Sequence, residues 1–196
     1  TAAYVAECAV QAGIATKPID IGDLGLAGGR LLDLDNRPLT HMFKLYPWEW
    51  MAQDDPRFLQ ALDASEVGVL EPPWRLAASS KLLLADLWRA SPGHPNLAPA
   101  FADPRQINGD YVIKPAFGRE GANVQLHFAE GAKSNPGPFA GQASVAQARV
   151  PFFPCEGGAP IFGVWVIAGE PCGLGIRQDT APITGEAATF VSHRMV

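Results

Sequence analysis

At 196 residues, 47% of them hydrophobic and 18% charged, the chain is long and apolar enough to bury a core as one large domain or two small ones. Fifteen Lys and Arg against 20 Asp and Glu give a formal net charge of −5, and no basic stripe stands out, which argues against nucleic acid as a partner. No apolar run approaches the ~18–20 residues of a membrane span.

The opening TAAYVAECAVQAG has neither the basic nor the apolar region of a signal peptide. Tyr4, Val5, Cys8, Ala9 and Ala12 instead fall at helical spacing, with Gly13 as a stop. TKPIDIGDL alternates Ile19 and Ile21 with polar neighbours and predicts a strand. GGRLLDLDNRPLTHMFKLYPW predicts a hairpin turning at Asp35-Asn36. In YPWEWMAQDDPRFLQALDAS, Asp55 is placed to cap a helix with Pro56 at its first position and Phe58, Leu59 and Leu62 as its apolar stripe. VGVL at 67–70 is a short strand stopped by Pro72-Pro73.

Ser79 or Ser80 can cap a helix with an apolar face of Leu83, Leu84, Leu87 and Trp88, ended by Pro92-Gly93. Lys81 then falls in its first turn, where the helix dipole disfavours an exposed cation by ~0.3–1 kcal/mol. An anion bridging Lys81 and the helix end would reverse that penalty. Asn108-Gly109 leads into a hairpin, YVIKPAFGREGANVQLHF, with a surface loop expected at 129–143. SVAQARVPFF is a strand ended by Pro154. IFGVWVIAGEPCGLGIR gives two strands around Gly169-Glu170, the second closed by Arg177, and ATFVSHRMV a short last strand.

Several chemistries have no support. His41, His94, His127 and His193 show no local metal spacing, and no GxSxG, GxxxxGK[ST] or helix-opening GxGxxG occurs. Cys8, Cys155 and Cys172 are odd in number with no CxxC, which predicts reduced, buried or semi-buried thiols of a cytoplasmic protein. What remains is a set of cations at strand ends and loops: Lys81, Lys114, Arg119 and Arg177. With Gly118 and Gly121 they describe a phosphate site, in which a glycine loop covers the phosphates and the cations neutralise charge. Lys114 lies in an otherwise apolar strand, where burying an ammonium is costly unless an anion meets it.

FKLYPWEWM, EPPWRLAASSKLLLADLW, YVIKPAFGREGANV and FGVWVIAGEPCGLGIRQD, in this order, resemble the glutathionylspermidine synthase family of ATP-grasp carboxylate–amine ligases. The resemblance covers most of the chain from about residue 40 and looks like the C-terminal portion of the family's synthetase unit. It implies phosphorylation of a carboxylate by ATP and attack of an amine on the acyl phosphate. Lys81 and Lys114 would hold the α- and β-phosphates, Gly118, Arg119 and Gly121 would belong to the loop over the triphosphate, and Gln147 and Val150 would lie on the strand that meets adenine. Arg177 would contact the transferring phosphoryl group. The Mg²⁺ ligands of the family, with much of its acid-binding chemistry, would lie in an N-terminal half that this sequence does not contain.

The expected fold is therefore α+β: a small α/β unit over 1–70, then an ATP-grasp-like portion over 71–196, mostly antiparallel strands with a few helices and a lid hairpin near 107–128. The expected function is ATP-dependent ligation of a small-molecule acid and amine, glutathione- and polyamine-like among the candidates, completed by the missing half. A nucleotide-binding module that acts through a partner is the alternative, and a purely structural domain a third.

Overall fold

The computed structural model describes residues 1–153 and 155–194. The expected stop at Pro154 and the end of the last strand at Met195-Val196 lie outside the described residues. The chain divides into two units, Thr1–Ser79 and Ser80–Val196. No helix among the described residues is long and apolar enough to cross a membrane.

The first unit opens with helix α1 (Ala2–Gln11), ended before Gly13 as its spacing predicts. The expected strand after it is absent. Ile21–Asp23 forms a 3₁₀ turn, in which Asp23 N bonds Asp20 O, and residues 16–20 before it are mostly exposed, where water can meet their backbone groups. Strands β1 (Gly25–Ala27) and β2 (Arg30–Leu32) pair antiparallel. Their turn is Gly28-Gly29, at φ of +56° and +72°, the two positive φ values that a tight hairpin turn demands. The expected reversal near Asp35-Asn36 exists as well, as a side-chain-built turn. Asp33 Oδ1 accepts from the amides of Asp35 and Arg37, and Lys17 binds Asp33 and Asp35 at 3.0 and 2.6 Å.

Strand β3 (His41–Phe43) does not return to β2. It pairs in parallel with β4 (Gly68–Leu70), across a connection that contains α2 (Trp48–Asp54) and α3 (Pro56–Asp63). Asp55 caps α3, accepting from Arg57 N, with Pro56 as its first residue. Leu24, Leu31, Trp48, Met51 and Ala61 form the core, against which Phe58, Leu59 and Leu62 pack as predicted. Each large apolar side chain removed from water there contributes roughly 1.5–3 kcal/mol. Lys44 is buried beside this core with its Nζ 4.1 Å from the centre of the Trp48 ring, and burial pushes its pKa down. A short helix, α4 (Arg75–Ser79), ends the unit.

The second unit starts with α5 (Leu83–Ala90), which packs on β5 (Ala100–Phe101) and leaves Leu87, an expected member of its apolar face, exposed. The predicted hairpin forms from β6 (Tyr111–Pro115) and β7 (Gln125–Phe128), in the register Tyr111 with His127 and Ile113 with Gln125. Part of the expected loop is instead a strand, β8 (Gly131–Ser134), paired with β7. Strand β9 (Ser144–Ala148) stops well before Pro154 and completes an antiparallel sheet in the order β5-β9-β6-β7-β8. A second sheet comprises β10 (Ala159–Ile167), β11 (Glu170–Asp179) and β12 (Thr189–Val191), in that order. The β10–β11 turn is centred on Ala168-Gly169, both at positive φ, one residue earlier than expected. All three cysteines are exposed, not buried; Cys172, for example, lies in the exposed first part of β11.

Candidate functional site

The site grows out of the point where β6 and β7 part. Their pairing ends at Ile113–Gln125, whereas β9 follows β6 for two more residues, through Lys114–Val145 and Pro115–Ser144. Pro115 is therefore tolerated in a central strand, because its missing N–H falls where β7 has already diverged. Lys114 shares a sheet face with Val112, Val145 and Gln147, and the fully buried Val145 makes that face apolar.

In this setting Lys114 Nζ donates to Gln147 Oε1 at 2.7 Å, and Gln147 Nε2 in turn reaches Ala98 O at 3.5 Å. Burial lowers the Lys114 pKa below the ordinary lysine value, and the charge of Lys81 lowers it further. The two lysines thus act on one small volume. Lys81 does not stand in the first turn of a helix: α4 ends at Ser79 and α5 begins at Leu83. Its amide is captured by Ala116 O at 2.8 Å, and its Nζ donates to Gly118 O, which turns the lysine toward the loop after β6.

That loop, residues 116–124, is two successive turns. Gly118 N closes the first on Pro115 O at 3.3 Å, and Ala122 N closes the second on Arg119 O at 2.9 Å. Glu120 and Gly121 occupy the middle of the second at φ of +48° and +69°. Gly121 is doubly constrained, because a Cβ there would lie 2.4 Å from Thr184 O. The Thr184 segment is brought to it by Asp179, whose carboxylate accepts from the amides of Ala181 and Gly185, each at 2.9 Å. These bonds hold the Asp179 carboxyl below its usual range. Beside Gly121, Thr184 Oγ1 is enclosed with no hydrogen-bond partner among the described residues.

Arg177 lies on β11, two residues before Asp179, and its Nη1 meets Glu120 Oε2 at 3.2 Å. Of the residues singled out by sequence, Lys81, Lys114, Gly118, Gly121, Gln147 and Arg177 are thus joined by direct bonds or by the loop. Arg119 is exposed on the same loop. Val150 stands outside the group, 64% exposed beyond the end of β9. Glu120, Gln142 and Asp179 were not singled out. Gln142 fixes the loop by accepting from Phe117 N at 3.1 Å. The one hint of Glu120 in the sequence is its place beside a loop glycine.

Chemically, the arrangement offers cations whose partners include a backbone carbonyl, an amide oxygen and an exposed carboxylate. The first two acceptors are neutral oxygens, so an anionic phosphate oxygen, which adds charge–charge attraction to the hydrogen bond, can displace them. Among the described residues no group of three or more His, Cys, Asp and Glu could hold a metal ion.

A family model described as glutathionylspermidine synthase preATP-grasp matches residues 1–196. The chain is 34% identical to a Haemophilus influenzae protein named as an acid–amine ligase, across 98% of this chain and 52% of that protein. It is 26% identical to the trypanothione synthetase of Crithidia fasciculata, across 85% of this chain and 29% of the synthetase. With the bifunctional glutathionylspermidine synthetase/amidase of Escherichia coli it shares 27% identity, across 74% and 28% of the two chains. The chain thus spans about half the length of the first relative and under a third of the other two.

Proposed function

From the premise that the chain belongs to the glutathionylspermidine synthase preATP-grasp family, we propose that it carries the phosphate-binding part of an ATP-dependent carboxylate–amine ligase. The observation that carries this reading is the convergence of Lys81 and Lys114 beside a glycine loop that is itself tied to Arg177. Lys81 and Lys114 hold the inner phosphates, exchanging Gly118 O and Gln147 Oε1 for phosphate oxygens. The loop from Gly118 to Gly121, with Arg119, covers the triphosphate. Arg177 leaves Glu120 to meet the phosphoryl group as it passes to the carboxylate, where a fixed cation favours the transition state. Gln147 serves through Lys114, and Val150 lies toward the base.

The substrates are a small-molecule acid and an amine, and the relatives' names point to glutathione-like and polyamine-like compounds. Further polypeptide of the same protein would supply the metal-binding carboxylates. The cytoplasm, where ATP is plentiful, is the compartment this chemistry suits.

Titration of the chain with a non-hydrolysable ATP analogue tests the reading. Lys114→Ala is expected to weaken binding at least tenfold, about 1.4 kcal/mol. In a full-length protein, Arg177→Ala is expected to retain nucleotide within about threefold while abolishing ADP release driven by acid and amine. ADP release at the normal rate from Arg177→Ala overturns the catalytic assignment, and equal analogue binding with and without Lys114 overturns the phosphate site.

A further inference from the structure

Glu120 has the conformation of a glycine without being one. It stands at φ +48° in the middle of the second turn of the loop, next to Gly121 at +69°. Glycine takes this region freely and Asn or Asp readily, whereas a glutamate takes it at a cost in backbone energy. The turn itself does not ask for a carboxylate, and residues that break a local rule in this way cluster at working sites. The carboxylate so placed meets Arg177, with Oε2 3.2 Å from Nη1.

The other candidate proton acceptors near the loop are engaged or turned away. Asp179 accepts from Ala181 N through one carboxylate oxygen and from Gly185 N through the other. Glu156 is met at its carbonyl by Gln178, which follows Arg177 on β11 and so points to the opposite face of that strand. His127 is paired with Tyr111 on the sheet face away from Lys114, with its ring stacked on the tyrosine. Glu120 is thus the carboxylate that reaches Arg177, and it is 51% exposed, so a proton it gains can pass to water.

Amide formation asks for such a group. An aliphatic amine is protonated near neutrality, and an ammonium has no lone pair with which to attack an acyl phosphate. When Arg177 turns to the phosphoryl group, Glu120 loses its partner and stays beside the group that Arg177 now holds. A carboxylate there attracts an ammonium and is within reach of its protons. We propose, on the ligase reading on which this inference rests, that Glu120 docks the amine and is the general base of amide formation.

A primary ammonium sheds two protons on its way to an amide nitrogen. Glu120 accepts the first, which exposes the lone pair, and releases it to water. The lone pair attacks the acyl carbon, and the bond from that carbon to the phosphate oxygen breaks with its electron pair on the phosphate. The departing phosphate takes the second proton.

The test uses the full-length protein with glutathione as acid, spermidine as amine, and hydroxylamine as a second nucleophile. Hydroxylamine is mostly uncharged at neutral pH and traps an acyl phosphate as its hydroxamate without help from a base. Glu120→Gln is expected to lower amide formation from spermidine about 10²–10⁴-fold, and to form hydroxamate at the wild-type rate or faster. Glu120→Gly, which also relieves the turn, should show the same selective loss with a urea midpoint no lower than that of Glu120→Gln. That second variant separates lost chemistry from lost folding. Amide formation within about threefold of wild type in either variant overturns the inference. So does a loss of hydroxamate equal to the loss of amide, which would make Glu120 a part of the loop's hold on ATP. A wild-type protein that forms neither product overturns the ligase reading for this acid, and the inference falls with it.

Discussion

Replacing Lys114 by Met removes the charge and keeps most of the volume, so it separates two consequences of placing an ammonium in an apolar sheet face. The first concerns stability. Below its lowered folded pKa, Lys114 is charged in both states, and the fold carries the cost of burying that charge. Between that pKa and 10.5 the unfolded chain holds a proton that the folded chain has shed, so stability rises with pH. At most one proton differs, which caps the slope at about 1.4 kcal/mol per pH unit. Lys44 carries a shift of the same sign and is present in both proteins, so the difference between them isolates Lys114. Urea midpoints from pH 7 to 10.5 should therefore show Lys114→Met as the more stable protein at pH 7, with its advantage shrinking as the pH rises. The second consequence concerns binding. A charged hydrogen bond contributes about 1.5–3 kcal/mol, so Lys114→Met should weaken an ATP analogue by roughly 10- to 150-fold at pH 7. The wild-type affinity should decline with pH earlier than an ordinary lysine would allow. A Lys114→Met protein no more stable at pH 7, with unchanged analogue affinity, would refute the argument that this amine is buried as a cation in wait for an anion.

Gly121→Ala combines positive φ with a Cβ against Thr184 O, so it should lower stability by about 2 kcal/mol or more in denaturant melts. Gly118→Ala, whose nearest obstacle is Pro115 Cγ at 3.1 Å, should cost clearly less; equal losses would argue against the docking of the second turn. Glu120→Gln frees Arg177 from an exposed ion pair of the kind that contributes about 0.5–1 kcal/mol, so analogue affinity should rise about two- to fivefold, and more at low salt. Weaker binding would show that Glu120 orders the loop more than it competes. Asp55→Ala removes the cap of α3 and should lower the thermal midpoint at pH 7. The Arg57 side chain and amide hold the Asp55 pKa low, so this effect persists above pH 3.8 and disappears as the pH falls through the folded value.

Local chemistry was what the sequence disclosed. Asp55-Pro56 announced α3, Asn108-Gly109 and the apolar stretches on either side of the glycine loop announced the β6–β7 hairpin, and the run to Ile167 with its turn announced β10 and β11. Pairings between distant segments were not legible. Periodicity does not reveal that His41–Phe43 lies parallel to Gly68–Leu70 across two helices, nor that Ala100–Phe101 joins β9. Ile19 and Ile21 alternated like a strand, but alternation reports a face and not a partner. The site followed the same division. Lys81 and Lys114 stood out as cations that the local pattern did not need. Glu120 and Arg177, 57 residues apart, meet only because the two turns of the loop and the Asp179-built segment are folded. Gln147 was read for the strand that meets the base of a nucleotide, and its bond to Lys114 was not legible in the sequence.

The division between the two units falls at Ser79/Ser80, and Lys81 follows one residue later. Such a boundary ordinarily invites recombination, being a place where a gene can be cut, grafted or lengthened with little harm. Here the first turn of the second unit is already bonded to Ala116 and Gly118 by main chain and side chain. A graft joined after Lys81 would inherit the Lys114 strand without the lysine that bonds its loop, and an insertion between Ser80 and Lys81 would pull on the loop itself. The seam therefore travels with the second unit, and shuffling at this point conserves the chemistry only when Ser80 and Lys81 go with it.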